Sequence, residues 1–324
     1  PMCIDTNYQY LASTPAETHT LPTALGGTMR RREALRVGGS MLAATGLLGD
    51  VPSTTSAAAA EGFDPLGHLE LPGAKELVVD GDVAYVAVTD WFTTVDISDP
   101  TDPTLLAERR GLLADHPDGH LELIQDGKLG GDYYALAGPA HPRSGVPYAA
   151  IVFDISDTEN PQSVLSYETE FYHHNLDTDG ETLFLCGNDG DENPLVCVAI
   201  ESGDELGRWS VLESDDRWSA VNHRLREFHD VWVEDGIAYC ALWNAGTWLV
   251  DVSDPTDPTA LRSLRGLDPT EQADIETSGD RRTALLTLPG NDHFAMPRRG
   301  GDGALVAINE EAWASDADAP AREL

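Results

Sequence analysis

Ten residues from Val95 to Thr104 read VDISDPTDPT, and ten from Val250 to Thr259 read VDVSDPTDPT. A third copy, FDISDTENP, spans Phe153 to Pro161, and a worn fourth runs from Cys197 to Asp204 after Leu183-Phe184-Leu185-Cys186. Self-similarity at a period of roughly 50 residues confines the chain to a propeller, a solenoid or an array of small units. In each clear copy a turn glycine, Gly81 or Gly236, opens an alternating run of Tyr, Val and Ala. A second apolar run follows, and Asp-Pro-x-x-Pro then ends the pairing and turns the chain. The 10-residue helical periods that a βαβ solenoid needs are missing from this region.

Four short antiparallel strands in about 45 to 55 residues make one blade of a β-propeller. The sequence therefore predicts an all-β chain of four-stranded antiparallel blades. First strands are expected near Leu71, Leu121, Asn175, Asp230 and Phe294. That gives four blades and the start of a fifth, with the chain expected to stop before the fan closes, because open fans leave edge strands unpaired. The Tyr-Val-Ala and Val-Asp-Val-Ser-Asp-Pro pattern resembles the LVIVD-repeat family of secreted or surface β-propellers, over residues 68 to 310. The resemblance implies a blade architecture and an extracytoplasmic site, and says little about activity.

Ahead of the repeats, Arg30-Arg31-Arg32 and a short weakly apolar stretch from Gly38 to Gly49 precede the small-residue tract Ser53 to Ala60. A charged start, a short apolar middle and a small-residue cleavage zone make an export signal, and the paired arginines resemble the twin-arginine type. Residues 29–60 are expected to be that leader, residues 1–28 a non-native extension upstream of it, and residues 61–324 an incomplete propeller. Asp5, Glu17, Glu33 and Asp50 cancel Arg30, Arg31, Arg32 and Arg36, so the propeller carries the whole net charge of −36. Such a field repels nucleic acid and anionic membrane surfaces, leaving a cell-envelope protein or a small ligand as partner. Only Lys75 and Lys128 are lysines. Dense carboxylate with almost no lysine suits concentrated salt, and the sequence reads as a haloarchaeal type.

The chemistry-bearing pattern is histidine at the repeat spacing. His120, His173 and His229 each lie seven residues before a glycine, Gly127, Gly180 or Gly236, and His293 opens the fifth first strand. First strands line a propeller's axis, so these imidazoles would ring it and could hold Zn, Cu, Fe or Ni. Glu122, His174, Asp230 and Asp292 stand beside them as supporting groups or further ligands. The other reading is structural: imidazoles that hydrogen-bond backbone carbonyls at the channel mouth.

Weaker signals remain. Asp189-Gly190-Asp191-Glu192-Asn193 and Asp99-Pro100-Thr101-Asp102 carry the oxygen donors of a Ca²⁺ loop without its full spacing, and solvated loops account for them as well. Cys186 and Cys197 fall on neighbouring strands, as a disulfide or as buried thiols. Nucleophile-elbow, P-loop and dinucleotide signatures do not occur in a fitting context. Three functions stay open: an extracytoplasmic binding or scaffold propeller, a metalloprotein, oxidoreductase or lyase, built on the axial histidines, and a cell-envelope structural module with Ca²⁺ or salt bridging its carboxylates.

The charge makes one prediction. The Debye length shrinks from about 10 Å at 0.1 M to about 3 Å at 1 M salt, so thermal melting of the exported region is expected to rise steeply between 0.1 M and 3 M KCl. An unchanged midpoint would remove the halophilic reading.

Overall fold

The computed structural model describes residues 65–298 and 305–311. The expected leader and the polar segment after Glu311 lie outside the described residues. Four sheets have four antiparallel strands each, in chain order. The first holds β1 (Ala74–Asp80), β2 (Val83–Val88), β3 (Trp91–Asp96) and β4 (Thr104–Arg109), and the second β5 (Asp126–Gly130), β6 (Tyr133–Gly138), β7 (Ala149–Asp154) and β8 (Gln162–Glu168). The third holds β9 (Leu176–Thr178), β10 (Thr182–Cys186), β11 (Leu195–Ala199) and β12 (Glu205–Trp209), and the fourth β13 (Asp230–Glu234), β14 (Ile237–Leu242), β15 (Gly246–Asp251) and β16 (Thr259–Ser263). A fifth pairs β17 (Asp292–Pro297) with β18 (Val306–Glu310).

The opening strands of successive sheets pack on one another, β1 on β5, β5 on β9, β9 on β13 and β13 on β17. That is the inner wall of a β-propeller. The repeated Asp residues are turn chemistry: Asp96, Asp154 and Asp251 each accept the backbone N–H of Ser98, Ser156 and Ser253, two residues on. Asp99 and Asp254 do the same for Thr101 and Thr256. Each side chain thus fixes the corner between third and fourth strands.

Middle strands are covered on both faces, so neighbouring residues serve different interfaces. Tyr134 and Leu136 pack towards Tyr85, Phe92 and Phe153 between the first two sheets, with Phe92 and Phe153 ring centres 4.5 Å apart. Ala135 and Ala137, the alternate residues of β6, meet Leu183, Leu185, Val196 and Val198 of the third sheet. Phe184, Cys186, Leu195 and Cys197 face Ala238, Cys240 and Leu242 of the fourth. Cys186 pairs with Leu195 and Cys197 with Phe184, and Cys186, Cys197 and Cys240 are free buried thiols. Burial pushes the Cys197 thiol up to about 12.

Between the third and fourth sheets the chain adds α1 (Val211–Ser214) and two 3₁₀ turns, Asp216–Ala220 and His223–Arg226. Two more helices, α2 (Pro269–Ala273) and α3 (Ser278–Leu285), precede β17. The blade period does not carry these inserts.

Inner hairpins of neighbouring blades touch through backbone. A Cβ on Gly130 would stand 2.4 Å from the Gly180 nitrogen, which has no side chain to swing aside. Gly130→Ala is expected to cost about 1–3 kcal/mol through overpacking. Chemical denaturation checks this, and an unchanged midpoint would show that the two hairpins do not meet.

Candidate functional site

Pairing register shows which residues are equivalent on the inner strands. Glu76 faces Ala87, Asp126 faces Ala137 and Asp230 faces Ala241. The Asn175 carbonyl takes the matching place in the third blade by accepting Cys186 N–H at 3.4 Å. One polar side chain per blade therefore stands at the same height beside the axis. Two residues along β5, on the same face as Asp126, is Lys128.

Lys128 bonds Asp126 directly and is flanked by Glu76 and Asp230. Burial pulls its ammonium down, but Asp126, Glu76 and Asp230 together push it above its ordinary value. The acids outnumber this one cation. Burial raises Glu76 to about 8 against the pull of Lys128, and raises Asp177 to about 7. Asp230 is likewise held well above the carboxylate range by burial, and its Oδ1 is buried with no hydrogen-bond partner. Two of these carboxylates tie blades together: Asp126 Oδ2 accepts Leu176 N–H at 3.1 Å, and Asp177 Oδ2 accepts Val233 N–H at 2.6 Å.

At one end of this column the imidazoles gather. Ring centres of His141 and His174 are 5.2 Å apart, those of His174 and His229 4.3 Å, and those of His229 and His293 3.7 Å. Trp243 stacks on His229 from behind, at 6.2 Å. His174 Nδ1 lies 3.2 Å from the Ala140 carbonyl and His229 Nδ1 3.0 Å from the His293 carbonyl. A carbonyl only accepts, so both rings donate from Nδ1, and the neutral ring of His229 keeps its lone pair on Nε2. His293 Nε2 faces Glu311 at 3.3 Å, and its Nδ1 is buried without a partner. Burial lowers His293 to about 4 and, with the fields of His293 and His174, puts His229 well below the usual value. His229 and His293 are therefore neutral at pH 7.

Two of the four histidines expected on the axis, His229 and His293, join this row. His173 does not, and His174, read as support, takes its place. The error is one residue of register. The tight turn of the third blade has its glycine first, Gly180-Glu181, whereas that of the fourth has it second, Asp235-Gly236. Counting back from glycine therefore lands one residue early in the third blade, and a one-residue slip reverses the face. His173 is fully buried on the other side, against Phe171 and 2.7 Å from Thr169 Oγ1, with its pKa lowered by burial to about 3.

His120 fails for a related reason, since Gly127 lies inside β5 and the turn glycine of that blade is Gly131. His120 sits before the strand with Nε2 3.4 Å from Glu122, which also meets Arg143 at 3.3 Å. Glu122 thus serves His120 and Arg143 instead of the row. Asp292 is turned to Thr247, at 2.6 Å, and Arg265, at 3.2 Å, because a bulge follows it in β17. Asp230 points into the acid–lysine column. The first carboxylate of each proposed Ca²⁺ loop is taken up by its own backbone: Asp189 accepts Asp191 and Asn193 N–H, and Asp99 accepts Thr101 N–H. Among the described residues no three His, Cys, Asp or Glu side chains already stand at metal-coordinating spacing, and no helix is long and apolar enough to cross a membrane.

The column makes a prediction with a definite sign. Glu76 keeps its proton to about pH 8 when folded but releases it near pH 4.3 when unfolded, so its contribution to stability falls as pH rises through that window. Glu76→Gln is expected to match the parent near pH 4.5 and to melt several degrees higher at pH 8. Lys128→Met leaves the acids without their counter-ion and is expected to cost about 3–5 kcal/mol. Thermal melts across pH check both, and equal melting of Glu76→Gln and parent at pH 8 would place Glu76 in water.

Residues 73–108 and 226–264 match the LVIVD repeat family model. No curated protein matches in sequence. Among solved structures, apo AztD from Citrobacter koseri aligns at 14% identity over 60% of this chain and 48% of its own, with a TM-score of 0.39. Hydrazine synthase from Kuenenia stuttgartiensis aligns at 10% identity over 62% and 53%, with 0.40. The computationally designed Ika4 protein aligns at 14% identity over 58% and 94%, with 0.40. The aligned part spans about half of the two natural chains, and likeness at this level bears on neither ligand nor activity. The sheet topology and the two matched segments make the chain a β-propeller that carries LVIVD repeats.

Proposed function

We propose that the protein is an extracytoplasmic binding propeller that takes up a divalent transition metal at the end of its axis, through Nε2 of His174 and His229 and the unpartnered Nδ1 of His293. The observation that carries this reading is the pair of Nδ1–H bonds to the Ala140 and His293 carbonyls. Imidazoles that ligate metals almost always donate their other nitrogen in this way, which fixes tautomer and ring orientation. Two imidazoles on one tetrahedral zinc keep ring centres about 5 Å apart, from a Zn–N bond of about 2.1 Å. The adjacent pairs His174–His229 and His229–His293 lie closer, at 4.3 and 3.7 Å, so binding asks the rings to spread. His229 and His293, neutral at pH 7, also need lose no proton to bind. Glu311, 3.3 Å from His293 Nε2, is placed to hold the proton there and leave Nδ1 as the donor atom of that ring, and His141 borders the site from the second blade. A binding or scaffold role at the cell surface follows from the fold class and the expected leader, and the metal is the ligand that role would present.

Titration with Zn²⁺ or Ni²⁺ tests it. The parent is expected to bind one ion and to gain about 2.7 kcal/mol of stability at 100 times Kd. His174→Ala and His229→Ala should each weaken binding at least tenfold, while His173→Ala leaves affinity unchanged and only lowers the melting temperature. Equal affinity in His174→Ala and parent would overturn the site.

A further inference from the structure

The strongest feature outside the axis lies in the inserts that the repeat does not encode. The loop at Gly190 and Asp191, the two 3₁₀ turns and helices α2 and α3 border an open concavity of about 450 Å³ with a mainly polar lining. Arg226 is on its wall and only 3% exposed. Its Nε–H donates to the Trp218 carbonyl at 3.2 Å and its Nη1–H to the Glu192 carbonyl at 3.4 Å. These bonds fix the side chain and leave the rest of the guanidinium to the cavity. Asn193 fixes the turn itself, its Nδ2 donating to the His223 and Arg226 carbonyls. Arg281 reaches the same cavity from α3, with Nη1–H on the Glu276 carbonyl at 2.6 Å. Among the described residues neither guanidinium has a carboxylate at ion-pair distance.

In a chain of net charge −36, two guanidiniums held by carbonyls in one concavity stand out against the rest of the surface. Their charge is felt locally: His223, also on the wall, is held below its usual value by burial first, then by Arg224 and Arg226. A buried cation without a paired anion is costly. Asp189, Asp191 and Glu192 offset Arg226 only through space. A planar guanidinium fork fits the oxygens of a carboxylate or phosphate, and both Arg226 and Arg281 line this one concavity.

We infer that this cavity binds a small molecule carrying one carboxylate or phosphate head, held by Arg226 and Arg281. Asp191 and Glu276 border the same space. They disfavour a multiply charged anion and suit a ligand with hydroxyl or ammonium donors at its other end. The site is independent of the axial histidines, from which it differs in residues, charge and ligand chemistry.

The test uses the whole chain in EDTA at constant ionic strength, with inorganic phosphate, acetate and glycine as probes and melting temperature and calorimetry as readouts. At least one probe is expected to bind. Phosphate without acetate identifies a phosphate head, and acetate or glycine without phosphate a carboxylate; either supports the site. Arg281→Gln, on the surface of α3, should weaken that binding at least tenfold and, in a separate titration without EDTA, leave Zn²⁺ affinity unchanged. Arg226→Gln should abolish it, and Arg281→Gln decides alone if that variant does not fold. No binding by any probe, or equal binding by parent and Arg281→Gln, would overturn the inference.

Discussion

A propeller's first strands are sheet edges that meet one another where water is scarce, so their unpaired N–H and C=O groups need partners that the blade itself cannot supply. Here side chains of adjacent blades supply them. Asp126 takes the N–H of Leu176, Asp177 takes that of Val233, and His229 gives its ring proton to the carbonyl of His293. The Asn188 amide bridges both ways to the Phe228 backbone of the next blade. Polar residues on the axis are thus a consequence of how the blades join.

That solution creates a second problem. A carboxylate that receives N–H groups is well placed, but bringing several together in the interior costs more than one hydrogen bond returns, typically about 1.5–3 kcal/mol for a charged partner. Lys128 is the chain's answer, a tethered ammonium among Asp126, Glu76 and Asp230. It cannot neutralise them all, and the excess acids keep their protons instead. The exposed carboxylates of the rim relax as salt screens them, whereas this buried column is screened far less. The protein therefore carries two kinds of electrostatic strain that respond to different variables, ionic strength outside and pH inside.

The blades were legible because their turn chemistry is: Asp96, Asp154 and Asp251 repeat a corner that only certain side chains can make. The axis was half legible. Histidine recurred at the period, yet glycine was a poor ruler, since the two-residue turns admit it at either position, as Gly180 and Gly236 do. Measured from the first residue of the second strand, Glu76, Asp126, Asn175 and Asp230 each fall seven places back, and His174 and His229 eight. That ruler finds both layers. His141 follows no such rule, because it comes from the loop after β6. Nor do Arg226 and Arg281, which stand on inserts between blades, where no period constrains the residues.

The structural and the ligand-binding readings of the histidines are not rivals. A ring that gives Nδ1–H to a carbonyl satisfies the backbone, and the same bond leaves Nε2 as a lone pair in a fixed direction. The geometry that closes the end of the axis thereby arranges donors there whether or not an ion is present. His173 marks the contrast. Its Nε2 is used by Thr169, its Nδ1 is buried without a partner, and no second imidazole is in ring contact with it. Two adjacent residues, His173 and His174, thus divide the roles of one repeat position, and a single step of chain ahead of β9 decides which ring is buried against Phe171 and which joins the row.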